Sequence, residues 1–96
     1  MTAASTKAAA DRELRERLEN GLRLVTVAFP HFAGLARSVR LAIDERVPTM
    51  GVFASGRLAV NPRFAGTLKE NELVFVLAHE LFHLALRTHD LSLIHI

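Results

Sequence analysis

The 96-residue chain has no cysteine, no tryptophan and no tyrosine. Without cysteine, disulfides and thiolate metal ligands are excluded, and a cytoplasmic location fits. The only aromatics are six Phe. Binders of single-stranded nucleic acid combine stacking aromatics with clustered cations. Here twelve Lys and Arg are dispersed among ten Asp and Glu, leaving a net charge of +2, so no nucleic-acid partner is expected. The isoelectric point near 9.9 reflects that slight Arg excess, with no Cys or Tyr to titrate at high pH. Long hydrophobic runs are missing as well. The longest, residues 73–86, is too short to span a bilayer and is interrupted by His79, Glu80 and His83. Residues 1–10 lack the apolar stretch of a signal peptide, so no membrane partner is expected.

What is present is apolar. Half of the residues are hydrophobic and the mean hydropathy is +0.22, enough for one small core. That is high for so short a chain, and would suit a fragment that packs against something further on. From about residue 8 to 28, Leu14, Leu18, Leu22 and Val25 recur at steps of three and four between Arg and Glu, predicting an amphipathic helix. Gly21 weakens it and Pro30 ends it, with residues 1–7 expected to be a frayed tail. His31 then reads as a surface-loop histidine. Val39, Leu41 and Ile43 alternate with Arg40 and Ala42, as in a strand. Two further short runs, 49–54 and 57–61, flank Ser55-Gly56, a hairpin signal, and Asn61-Pro62 breaks the second run. A last helix is expected over about 70–87, with Val74, Leu77, Ala78, Leu81 and Ala85 on its buried face and Glu70 and Glu72 at its positive end. The fold class is α+β: an N-terminal amphipathic helix, a small antiparallel sheet or hairpin, then a buried helix.

That last helix carries His79-Glu80-Leu81-Phe82-His83, an HExxH pattern. Zinc takes neutral imidazoles at about 2.0–2.1 Å, and two His at i and i+4 leave one helix face a turn apart, where their rings can converge on one ion. Glu80, rotated by roughly 100° from His79, flanks the pair. From there it can accept a proton from a water polarised by Zn2+ and pass it to a leaving amine, which is peptide-bond hydrolysis. Polar groups inside an apolar helix cost free energy unless they are satisfied, which sharpens a short motif. A third ligand is open. His89 has the spacing of HExxHxxGxxH, but the glycine that turns the chain back is here Leu86. If the helix continues, His89 lies about 15 Å further along the axis, as a solvated helix-end histidine, and Asp90 has the same difficulty.

The runs Val47-Pro48-Thr49, Gly56-Arg57-Leu58-Ala59-Val60-Asn61-Pro62-Arg63-Phe64 and Glu72 through His83 resemble the N-terminal metallopeptidase-type domain of bacterial VWA-like proteins, the domain-of-unknown-function 2201 (DUF2201) group. The resemblance covers roughly residues 10–90 and implies a partial zincin-like domain. By it, His79 and His83 are metal ligands, Glu80 is the catalytic carboxylate, and the strand around Leu58 to Asn61 lies beside the cleft, where a substrate backbone would pair. It also implies a peptide or protein substrate, a further helix with an acidic residue completing the site, a following VWA-like domain, and association with a MoxR-type ATPase. The alternatives are a non-catalytic metal-binding or interaction module of such a protein, or a structural fragment with incidental histidines. Residues 1–90 are expected to be the partial domain. The last six residues, back-translated as CTG-TCT-CTT-ATA-CAC-ATC, resemble read-through of a transposon adaptor, which would remove His95 from consideration.

Overall fold

A computed structural model describes the backbone of residues 3–95 and the side chains of residues 6–86. The first helix, α1 (Ala3–Ala28), starts five residues earlier than the periodicity suggests, because Ala3, Ala4 and the alanines at 8–10 favour helix without needing an apolar stripe. Its expected stripe holds: Leu14, Leu18, Leu22 and Val25 are all buried. Phe29, constrained by the following proline, leaves the helical region (φ −130°, ψ 79°) and ends it. A 3₁₀ turn (Pro30–Phe32) and a short helix α2 (Ala33–Ser38) follow where the sequence suggests only a connection. Six residues are too few for a periodic signal to register.

Strands β1 (Arg40–Ile43), β2 (Met50–Val52) and β3 (Arg57–Val60) form one sheet in the order β1-β3-β2. The expected hairpin is present: β2 and β3 are antiparallel, with Met50 opposite Val60 and Val52 opposite Leu58. The sheet as a whole is mixed, since β1 runs parallel to β3. The six-residue link 44–49 carries the chain past β3, a reach of about 10 Å across two strand spacings, and leaves the middle place for the returning strand. The hairpin loop is one residue longer than Ser55-Gly56. Gly56 N–H donates to Phe53 O (2.8 Å) and Phe53 N–H donates to Arg57 O (2.9 Å). Gly56 has φ +91°, and an added Cβ would lie 3.1 Å from Ser38 O, so both backbone shape and space call for glycine.

Asn61 ties the sheet to the helical C-terminal third. Its Nδ2 donates to Val47 O (2.8 Å) in the 44–49 link, and its Oδ1 accepts from the N–H groups of Arg63 (2.8 Å) and Phe64 (3.1 Å). It thereby caps the short helix α3 (Pro62–Gly66). The final helix, α4 (Glu70–His95), opens with Glu72 Oε1 accepting from Lys69 N–H (2.8 Å), as in a capping box. Arg17 of α1 fastens the junction by donating to Glu70 Oε1 (2.7 Å), Leu68 O (2.9 Å) and Ala65 O (3.2 Å).

Helix α4 packs chiefly on α1 and also touches β2 and α2. It is buried along one face only, through Leu73, Leu77, Leu81 and Leu84, with Val74 and Ala78 half-buried. Of the expected face, Leu77 and Leu81 are buried, whereas Val74, Ala78 and Ala85 are half-buried and Leu73 and Leu84 complete the stripe instead. Leucines gain more than alanines by burial, up to about 1.5–3 kcal/mol each, and they take the core. The two helices approach closely at Gly21, where an added Cβ would fall 2.6 Å from Leu77 Cδ1. Residues 91–96, read as non-native from the sequence, carry side chains outside the described residues. Among the described residues, no helix is long and apolar enough to cross a membrane.

The close approach at Gly21 can be tested directly. Gly21→Val should lower stability by about 1–3 kcal/mol in urea denaturation, although valine is the better helix former, because the fully buried Leu77 must shift its Cδ1 within a packed core to make room. An unchanged or raised midpoint would refute the contact. Asp44 accepts from Arg46 Nε (3.0 Å) and Nη2 (3.0 Å), from Arg46 N–H (2.9 Å), and from Arg57 Nη2 (3.1 Å). These bonds, Arg46 foremost, hold its carboxyl far below its ordinary value of 3.8. A depressed carboxylate stabilises the fold above its unfolded pKa and loses that contribution as pH falls towards the folded value. Asp44→Asn should therefore flatten the decline of melting temperature below about pH 4, as followed by circular dichroism.

Candidate metal centre on the last helix

Because α4 buries Leu77, Leu81 and Leu84, residues 79 and 83 fall on its outer side. His79 and His83 are both exposed, and Glu80, nearer the core stripe, is half-buried. The imidazoles converge: Nε2 of His79 and Nε2 of His83 are 2.9 Å apart, with ring centroids 4.4 Å apart and planes at 89°. One ring donates to the other, in an order set by tautomer. Two imidazoles bound tetrahedrally to one zinc have their nitrogens about 3.3 Å apart, so a few tenths of an ångström of opening would admit an ion. The donor type and spacing fit. Phe75, one turn before His79, stacks on it (centroids 6.4 Å, planes at 14°) and helps set its ring plane. No hydrogen bond or ion pair with the described residues engages Glu80, so its carboxylate is available.

Among the described residues, no group of three or more His, Cys, Asp or Glu comes together. The side chains of His89 and Asp90 lie outside the described residues; the backbone there belongs to α4, which continues as a helix past Leu86. His89 therefore starts from a point about 15 Å along the axis from His79. The expectation that a substrate backbone pairs with the strand around Leu58 to Asn61 is corrected. That strand is β3, the middle of the sheet, and both its edges are taken by β1 and β2.

Beside His79 the surface opens into a groove of about 550 Å³ that sequence reasoning missed. Phe29 and Phe32 form one wall, around the 3₁₀ turn; Val74, Phe75, Ala78 and Phe82 of α4 form the other, and His79 itself lines it. His31, expected as a surface-loop histidine, is exposed on the 3₁₀ turn and lines the same groove, its ring packed on Phe32 at 4.5 Å. The available signal was the placement of Phe75 and Phe82 seven residues apart, on the face of α4 away from the leucine stripe. A second hollow, of about 420 Å³, lies between α1, α2 and β1 and includes Arg15, Arg23 and Arg37. No histidine lines it, so it has no part in the HExxH chemistry.

No curated protein and no solved structure matches the chain. A family profile does match, over residues 13–91, a stretch that takes in all of the convergent pair, Glu80 and both walls of the groove. The chain belongs to the family of the DUF2201 N-terminal domain, whose description is "putative metallopeptidase domain".

Proposed function

We propose that this domain hydrolyses peptide bonds with the help of a zinc ion held by His79 and His83, with Glu80 as general base. The observation that carries the reading is the convergence of the Nε2 atoms of two exposed histidines, 2.9 Å apart, on a helix whose Glu80 carboxylate engages no other described residue. When bound, the ion lowers the pKa of a water and polarises the scissile carbonyl. Glu80 then takes the proton of that water and delivers it to the departing amine. Half-burial suits the task, because a carboxylate with less competing water interacts more strongly with a nearby cation. His79 and His83 act as ligands only as neutral rings with both Nε2 atoms bare, so the one ring that donates within the pair must carry its proton on Nδ1 instead. The third protein ligand is the open position, with His89 one candidate and an acidic residue of a further helix the other. The substrate is a peptide or protein, and a VWA-like domain and a MoxR-type ATPase are the proposed partners, in the cytoplasm.

A second reading is a non-catalytic metal-binding or interaction module for those partners. It is favoured by the absence of a third ligand among the described residues and by the apolar outer face of α4. Turnover separates the two readings. In protein from the complete reading frame, Glu80→Gln should retain zinc and lose about 10²–10⁴-fold in hydrolysis of casein or a peptide library. Equal turnover in variant and parent would reject Glu80 as the base.

Zinc affinity tests the ligands separately. Two imidazoles under-coordinate the ion, so calorimetric titration of this chain should find weak binding, abolished in His83→Ala. Tight one-to-one binding would instead place a third ligand within the chain and favour His89.

A further inference from the structure

We infer that the groove beside His79 selects the substrate: it takes a peptide that presents an aromatic or large aliphatic side chain next to the bond to be cut. This inference rests on the reading of His79 as a metal ligand and extends it to a substrate class. Three observations carry it. The groove is continuous with the proposed centre, since His79 is part of its wall and Phe75 stacks on that same ring. A side chain seated there lies against His79, one member of the histidine pair, while Glu80 flanks the pair on the side away from the groove. Its lining contains no Asp, Glu, Lys or Arg. A charged side chain entering it would give up water and meet no carboxylate, ammonium or guanidinium group, whereas a hydrocarbon one loses only unfavourable hydration.

The third observation is exposure. Phe75, Phe82 and Phe29 are 72%, 52% and 44% exposed, on facing walls of one hollow, so a single apolar guest would cover surface on both sides. The volume, about 550 Å³, lies within the range of roughly 300–1,000 Å³ common for ligand pockets. The groove exceeds the needs of one small side chain and suits a bulky one with its backbone alongside. His31 and Asn71 are its polar members apart from His79, placed to meet peptide backbone rather than to neutralise a charge.

The test is a set of labelled peptides differing at one position (Phe, Leu, Ala, Asp or Lys), titrated against the zinc-supplemented chain by fluorescence anisotropy. Two-dimensional NMR follows the signals of Phe75, Phe82 and His79. The Phe and Leu peptides should bind about tenfold or more tightly than the others and shift those signals. Phe82→Glu and Phe75→Glu, both at exposed positions, should erase the preference, and Phe53→Ser, outside the groove, should leave it intact. Affinities within twofold across the series, no detectable binding, or a preference that survives both groove variants would each overturn the inference. So would self-association of the chain through this face, seen by sedimentation. Cleavage by the complete protein without preference for a neighbouring apolar residue rejects the groove's role alone. Preference without any cleavage rejects the hydrolytic reading, and with it the assignment of the guest as a substrate.

Discussion

The rotational setting of α4 governs everything else in the molecule. Leu73, Leu77, Leu81 and Leu84 lock into α1 and the sheet, and Gly21 lets the two helices come close enough for Leu77 to seat fully. With roughly 100° between successive residues, that choice leaves no freedom for the rest of the helix. Residues 79 and 83 must look outward, 80 must lie along the margin, and 75 and 82 must stand beside the histidines. A quarter-turn in the other sense would have put the imidazoles into hydrocarbon. The leucines of the motif region, rather than any contact between the histidines and the body of the protein, aim the pair at a common point.

Much of this was legible in the residues, for reasons that differ from element to element. The stripe of α1 could be read because Arg and Glu fill the gaps between its leucines, so its phase is unambiguous. The β2–β3 hairpin could be read because Gly56 serves as a conformational marker that few other residues can replace. In α4 the motif set the helix and the i, i+4 geometry, but apolar residues surround nearly the whole cylinder, and periodicity alone could not say which would be buried. The parallel placing of β1 depends on the path of the 44–49 link, which Asp44 and Asn61 brace through contacts remote in sequence. The groove was least legible of all, since it joins Phe29 and Phe32 to residues some forty or more positions later, and no local pattern encodes that meeting.

The candidate centre and the groove share a single structural economy. One face of one helix presents metal-ligand chemistry at 79 and 83 and hydrocarbon at 75 and 82, and the stacked ring of Phe75 belongs to both. An apolar surround lowers the local dielectric, which strengthens whatever charge interaction takes place beside it. Membership of a metallopeptidase-type family and the geometry of the pair thus point the same way, although they rest on different kinds of observation.

The uncovered phenyl rings of Phe29, Phe75 and Phe82 also have a practical consequence at the bench. Solvatochromic dyes of the ANS type brighten on any accessible hydrocarbon cluster, and they will find one on the native chain as readily as on a loosened form. A dye-monitored melt will start from a bright baseline that masks the transition, and a positive dye signal will say nothing about molten character. Far-ultraviolet ellipticity, dominated by α1 and α4, is the readout that remains faithful to unfolding.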